Sequence, residues 1–550
     1  MYKAALAETP QEAFNWRLIY SVICFGLMGA ARGLDEGLIS TTVAQESFIQ
    51  AYGLDPKVYG EDATAQKQGN ITSMVQIGSV AGALIAFIAC DKLGRIWATR
   101  QLCLIWIIGT IVYITANGNY GQVLAGRFVM GIGIGQTTVV APAYLVEIAP
   151  RSIRGMCMCI FSGSVYLGIM LGYFASWGTS IHISNKSQKQ WVYATILHLL
   201  FAGIILILSI FVLESPRWLA KVGRKEKAIA NMCKLRQLPA DHPYVQAELI
   251  DIEDQINRER EASMGSGFLG PLKELFMIPA NRYRIFLGLM CQLLGQWSGG
   301  GSITIYAPKF FALLGTTGQS EKLFATAIFG VVKFASAIIC AFFLVDFLGR
   351  KRSLNIGIIL QAITMTYVAI YLTAVPQVTT GGIQSTTAKH AATGAIVAIY
   401  LSGVGWALGW NSIQYLLGAE IFPLRVRSLG TSIIMTFHFV NQYGSSKAVP
   451  LMLLQDSMKP QGAFWFFAAV TFMGLGFVWF FLPETAGKSL EGMDEMFNLP
   501  WHIIGRKGAA LTEGQGSVSD ALGRGTGKEA VEFGDVEQAE HPHGDKRADV

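Results

Sequence analysis

About twelve stretches of this chain stay predominantly apolar for roughly twenty residues or more. A hydrocarbon layer about 30 Å thick needs that much helix to cross it, at about 1.5 Å per residue. Numbered in chain order as spans 1 to 12, the first six cover approximately 17–40, 68–90, 97–116, 120–148, 155–178 and 192–213. The second six cover approximately 282–314, 322–345, 353–375, 392–420, 427–454 and 461–482. The composition agrees: 52% of residues are hydrophobic and 15% charged, against about 25% charged in soluble proteins. Backbone polar groups in lipid must be satisfied within their own segment, so the expected fold class is an all-α membrane protein.

The charge pattern divides the chain further. A net charge of +6 is too mild for a nucleic-acid partner. The basic loops "DKLGRIWATR", "APRSIRG" and "LGRKR" follow spans 2, 4 and 8, whereas "NGNYG" between spans 3 and 4 has no Lys or Arg. By the positive-inside rule both termini and the central connector face the cytoplasm. The expected organisation is a cytoplasmic segment 1–16, a six-helix half 17–213, a charged helical connector 214–281, a second six-helix half 282–483, and a polar, largely disordered cytoplasmic tail 484–550. The first residues lack the apolar core of a cleavable leader, so span 1 is expected to be retained. "NKS" at Asn185, in an outer loop, fits a glycosylation acceptor.

Motifs of one half recur in the other. "DKLGR" (Asp91–Arg95) returns as "DFLGR" (Asp346–Arg350), "EIAPRSIRG" (from Glu147) as "EIFPLRVRSLG" (from Glu420), and "LESPR" (from Leu213) as "LPETAG" (from Leu482). Each echo falls at the same kind of helix end, so the halves read as a duplicated unit. Such repeats place a substrate site at the bilayer midplane, between halves that rock against each other. Two glycine and cysteine features have bland explanations. "GIGIG" (Gly131–Gly135) has no preceding strand and reads as small residues for close helix packing, not a phosphate loop. The eight cysteines lie mostly in apolar runs without metal or disulfide spacing. No metal site and no nucleophile–base set is expected, so the chain does not read as an enzyme.

Ionisable residues within spans are costly and tend to face cavities or partners. Span 1 carries Arg32, Asp35 and Glu36; span 4 carries Arg127; span 8 carries Lys333 in an otherwise apolar run. Asp35 and Arg127 count to about 9 and 10 Å from the outer edge, which suits a pair between two helices. A static pair of Arg32 with Asp35 or Glu36 at helical spacing is the alternative. Lys333, Gln296 and His438 count to roughly 20, 20 and 16 Å from the cytoplasmic ends of their spans, all near the midplane.

Taken together, "GLDEGLI", "DKLGR", "GRFVMGIGIG", "YLVEIAPRSIRG", "LESPRWLAKVGRKEKA", "VDFLGRKRSL", "EIFPLRVRSLG" and "LPETAGKSLE" resemble the sugar porter branch of the major facilitator superfamily, in a fungal style, over nearly the whole chain except the tail. The resemblance implies twelve transmembrane helices in two six-helix halves with a cytoplasmic helical connector. It implies an alternating-access transporter, with proton-coupled symport of a monosaccharide or sugar acid into the cell as the leading expectation. A facilitated-diffusion uniporter and a non-transporting nutrient sensor are the alternatives. It implies no cofactor beyond a coupling proton, a monomeric unit in the lipid bilayer, and the plasma membrane as location.

Residue by residue, Asp35 with Arg127 matches the family's proton-coupling pair. Asp91, Arg95, Glu147, Arg154, Glu214, Arg217, Asp346, Arg350, Glu420 and Arg427 match a cytoplasmic gate that latches the outward-facing state; plain topology is the alternative. In span 7 only Gln296 matches a sugar-binding glutamine, with Gly295 and Gly301 in the other two places. Ser162 in span 5 stands where the family has a glutamine, Asn411 and Tyr415 of "NSIQY" in span 10 where it has a Gly-Pro pair and a tryptophan, and His438 in span 11, with Gln442 one turn on, where it has a glutamine or asparagine. Lys333 stands where it has an asparagine, and Trp406, like Trp410, Trp297 and Tyr306, offers an aromatic face or ordinary packing. A cation facing a cavity favours a carboxylate, which points to a sugar acid or hydroxy acid. A deprotonated Lys333, or one paired with a carboxylate such as Glu36, leaves a neutral monosaccharide open.

Overall fold

The computed structural model describes residues 10–150, 153–263, 269–316, 318–340, 350–375, 386–411, 421–485 and 496–505. Among them all regular structure is helical. Span 1 is Trp16–Gly26 continued by Met28–Thr42; spans 2 to 5 are Glu61–Leu93, Arg95–Ile114, Tyr120–Ile148 and Arg154–His182; span 6 is Lys189–Thr195 and Leu197–Leu208. Span 7 comes in three pieces, Pro279–Trp297, Gly300–Ile305 and Ala307–Leu313. Spans 8 to 12 are Gln319–Ile339, Arg350–Ala374, Thr386–Trp406, Leu424–Met452 and Lys459–Phe481. Ten of these are long and apolar enough to cross a membrane by length and composition alone. The broken span 7 and the polar span 11 complete the twelve. Large apolar side chains such as Ile88, Leu104, Ile108 and Ile363 point outward and are more than half exposed, as lipid-facing residues are. The protein is a multi-pass membrane protein.

Boundaries moved where polar chemistry suits a helix end. Span 2 begins at Glu61 instead of 68, because Glu61 and Asp62 fill its first turn, where carboxylates oppose the helix dipole favourably. The loop after span 1 contains two further helices, Glu46–Tyr52 and Pro56–Tyr59. Gly53 at φ 62° separates them, and the Asp55 carboxylate caps the second by accepting from the Lys57 amide.

Glycines set how close the helices come. On span 1, Gly29, Gly33 and Gly37 lie against the backbone of Phe161, Val165 and Ile169 on span 5, where an added Cβ would meet carbonyl oxygens. In "GIGIG", Gly131 and Gly135 face Val75 and Ser79 of span 2, while Gly133 faces Trp106 of span 3. One short motif thus seats span 4 against two neighbours.

Span 7 breaks at Ser298–Gly299. Gly299 sits at φ 91°, a conformation that costs a side-chain-bearing residue, with the Phe467 ring where its Cβ would stand. The Ser298 carbonyl freed by the break accepts from Gln361 Nε2 at 3.1 Å, which satisfies it inside the membrane.

The halves meet chiefly along span 2 against span 11 and span 5 against span 8. At the end opposite the basic loops, Gln319 of span 8 donates to Asn185 Oδ1 at 3.4 Å and to Gln190 Oε1 at 3.3 Å. The Glu46 amide donates back to Gln319 Oε1 at 3.1 Å. Between spans 6 and 7, helices Pro216–Lys221, Lys225–Arg236, Pro243–Ser263 and Leu269–Met277 form the connector. Its Arg236 is 2% exposed, donates to the Ile148 carbonyl at the end of span 4 (2.9 Å), and forks onto Glu248 (2.9 and 3.1 Å). Asn15, the cap of span 1, donates to the Leu235 carbonyl at 2.8 Å.

Candidate functional site

At the basic end the repeated motifs build the same device twice. The Glu214 carboxylate accepts the backbone N–H groups of Arg95 and Ile96, each at 3.1 Å, and so caps span 3 from the end of span 6. In the second half Glu484 accepts the Arg350 and Lys351 amides at 3.0 and 3.1 Å and caps span 9 from the end of span 12. Sequence reasoning named Glu214 and missed Glu484, although the echo of "LESPR" in "LPETAG" carried the signal. Burial pushes the Glu214 carboxyl above its ordinary range, and backbone donors including Ser215, Ile96 and Arg95 pull against that.

Other members of the expected gate are placed more diversely. Arg95 pairs with Glu147 at 2.6 Å and donates to the Cys90 carbonyl at 2.9 Å, tying spans 2, 3 and 4. Asp91 reaches Lys221 of the connector at 3.3 Å, with both side chains over 40% exposed. Arg217 is half-buried in the connector's first helix. Arg154 and Arg427 stand in the first turns of spans 5 and 11, but their side chains lie outside the described residues, as do Asp346, Glu420 and Tyr415 altogether.

Deep in the first half Asp35 and Arg127 form a two-pronged ion pair, at 3.1 and 3.4 Å, with side chains 3% and 1% exposed. Arg127 Nε also donates to the Ile71 carbonyl at 2.6 Å, and the guanidinium lies 5.6 Å from the Tyr113 ring centre. The pair therefore involves spans 1, 2, 3 and 4. Arg32 does not compete for Asp35: its Nε meets Glu36 Oε1 at 3.0 Å, so the helical-spaced pair exists beside the inter-helix one.

The midplane residues from spans 1, 5, 7, 8 and 11 converge. Lys333 is 2% exposed, and its Nζ donates to Thr304 Oγ1 of span 7 at 2.5 Å. The ammonium lies over the rings of Tyr166 and Phe329 at 5.3 and 5.4 Å. The Tyr173 hydroxyl of span 5 donates to the Thr304 carbonyl at 2.6 Å. Among the described residues no carboxylate forms an ion pair with Lys333; the charged groups acting on it are Glu36 and Arg32. A hydroxyl and two ring faces thus surround the Lys333 amine at lipid depth.

His438 is fully buried, with Nδ1 2.8 Å from Gln292 Oε1 and 3.3 Å from Gln296 Nε2. Gln292 was not foreseen, although it lies one turn before Gln296 and therefore on the same helix face. Gln442 accepts from Arg32 Nη2 at 3.3 Å and donates to Glu36 Oε1 at 2.8 Å. Trp406 lies over Gly300 at the span 7 break, where a Cβ would meet its ring. Ser162 and Asn411 are half-buried, Asn411 closing the π-turn Ala407–Asn411 after span 10. Tyr306 is drawn away from the centre: its hydroxyl meets the Thr72 hydroxyl and the Ser446 carbonyl. Trp410 is 1% exposed and packs over Gly474.

Among the described residues, Lys333 and Arg32 thus share the midplane with the Glu36 carboxylate, while Asp35 and Arg127 pair with each other.

The family model described as "Sugar (and other) transporter" matches residues 21–497. A probable quinate permease of Aspergillus niger is 32% identical over 494 residues, covering 89% of each chain. A second probable quinate permease, from Neosartorya fischeri, is 32% identical over 498 residues, again covering 89% of each. Among solved structures, a major facilitator superfamily proton:xylose symporter bound to 6-bromo-6-deoxy-D-glucose superposes with a TM-score of 0.71 at 22% identity, covering 88% of this chain and 99% of that one. An inward open xylose transporter from E. coli gives a TM-score of 0.69 at 22% identity, covering 87% and 99%. At that identity the likeness speaks to the fold: the major facilitator arrangement of two six-helix halves.

Proposed function

This chain belongs to the Sugar (and other) transporter family, the sugar porters of the major facilitator superfamily, and from that membership we propose that it is a proton-coupled symporter importing a polyhydroxylated ring that bears a carboxylate. The observation that carries the reading is Lys333, a midplane ammonium held by a hydroxyl and two rings and ion-paired to no carboxylate among the described residues. Quinate, the cargo in the names of the relatives above, is a carboxylate-bearing polyol, which supports this substrate class over neutral hexoses.

In this reading the substrate's carboxylate faces Lys333, and its hydroxyls meet Gln296, Gln442, His438, Asn411, Tyr415 and Ser162, with Trp406 against the ring. Asp35 carries the proton: it pairs with Arg127 when deprotonated and is released when protonated, in step with which side the site opens to. Asp91, Arg95, Glu147, Arg154, Glu214, Arg217, Asp346, Arg350, Glu420 and Arg427 act at the cytoplasmic gate, and the working unit is a monomer in the plasma membrane.

The test is uptake in transport-deficient yeast of radiolabelled quinate and of a neutral hexose, at acidic and neutral pH. Quinate is expected to accumulate, faster at acidic pH. Lys333→Asn removes a charge-assisted contact worth about 1.5–3 kcal/mol, and so is expected to raise the KM for quinate about tenfold or more. Hexose transport should change far less. Accumulation of hexose without quinate, or an equal loss of both in Lys333→Asn, overturns the substrate reading.

A further inference from the structure

One ionic pair at the midplane has no part in that scheme. Arg32 and Glu36 lie one turn apart on span 1, Nε to Oε1 at 3.0 Å, with side chains 11% and 10% exposed. Both are tied to the second half through one residue: Gln442 accepts from Arg32 at 3.3 Å and donates to Glu36 at 2.8 Å. The Arg32 guanidinium also lies 5.7 Å from the centre of the Phe439 ring, again on span 11. Glu36 Oε1 therefore sits among donors from both halves, and its charge acts on Lys333 as well. That is the surrounding a substrate's carboxylate needs, and here a side chain of the protein occupies it.

We propose that Glu36 is a built-in stand-in for the substrate's carboxylate. In the empty carrier it neutralises Arg32 and bridges to Gln442; an anionic substrate displaces it and takes over these contacts beside Lys333. The proposal rests on the reading of the cargo as a carboxylate-bearing polyol.

The physical reason lies in the transport cycle. Alternating access carries the midplane through a closed state twice per turnover, once loaded and once empty. A buried cation whose facing carboxylate is removed is costly. On the loaded leg the substrate's carboxylate and Glu36 together balance Arg32 and Lys333; on the empty leg the substrate is absent, and Glu36 is the carboxylate that holds Arg32. A competitor of this kind also weakens the substrate it imitates, because binding has to displace it. Removing its charge should therefore do two opposite things: slow the empty leg and tighten binding.

Two assays on purified transporter in proteoliposomes separate these effects, with radiolabelled quinate as probe. Counterflow, with quinate on both sides, uses only the loaded carrier. Net uptake driven by an inward proton gradient also needs the empty return. For Glu36→Gln the expected result is a fall of tenfold or more in net uptake, with counterflow persisting at a half-saturating concentration several-fold lower. Glu36→Asp, which keeps the charge, should restore much of the net uptake. The proposal is overturned if net uptake and counterflow fall together, which marks Glu36 as scaffold, or if both match the wild type. A wild type that exchanges hexose but no quinate defeats the reading of the cargo, and this proposal with it. Wild-type quinate exchange that Glu36→Gln leaves untouched defeats this proposal alone.

Discussion

The Tyr173 hydroxyl, on span 5 of the first half, donates to the Thr304 carbonyl on span 7 of the second at 2.6 Å, and Thr304 in turn holds Lys333 through its side chain. The residue that accepts from the Lys333 side chain is thus itself bonded across the two halves.

Tyr173→Phe removes that bond and keeps the ring. A net hydrogen bond is worth about 1 kcal/mol, so the KM for quinate should rise about fivefold while transporter abundance in the membrane stays near wild type. Concentration-dependent uptake checks it. An unchanged KM would detach Tyr173 from substrate recognition.

Asp35→Asn keeps the shape of the side chain and removes its charge. If Asp35 carries the proton, accumulation against a gradient should collapse to equilibration and the advantage of acidic pH should vanish, while counterflow continues. Uptake time courses at two pH values decide. A variant that still accumulates substrate with the wild-type pH dependence would leave the Asp35–Arg127 pair a static strut and favour proton-independent facilitated diffusion.

Much of this design is legible before any coordinates. Apolar runs fixed the spans because lipid leaves the backbone no other option. The depth of Asp35 and Arg127, counted along two helices, put them at one level, and their side chains meet. Other features escaped for stated reasons. The break in span 7 depends on the φ of a single residue, Gly299, within a run of three glycines. Lys333 finds its partner in Thr304, which lies past that break, so no count along an ideal helix leads to it. Gln292 and Glu484 were both within reach, the first through helical spacing and the second through the internal repeat.

Helix approach gives a sharper structural test. Gly33→Leu would drive a side chain into the Val165 backbone of span 5, and folded transporter should be lost from the membrane. Gly203→Ala on span 6 has open space around it and should be tolerated. Fluorescence-detected size-exclusion profiles of the two variants distinguish them. A monodisperse Gly33→Leu protein would refute the packing described for spans 1 and 5.

Arg236→Ala leaves Glu248 unpaired and takes a donor from the Ile148 carbonyl. Breaking a buried pair in this way costs about 3 kcal/mol. The expected outcome is a clear drop in Tm of the detergent-solubilised protein, and transport at reduced temperature should survive. An unaltered Tm would show that the connector docks without this anchor.

The same anchor has a mechanical meaning. With Arg236 fastened beneath span 4 and Leu235 fastened to the cap of span 1, the connector helix Lys225–Arg236 belongs mechanically to the first half, whereas its last helix, Leu269–Met277, packs on spans 7 and 11 of the second. Relative movement of the halves must then be taken up between those two helices, inside the connector itself.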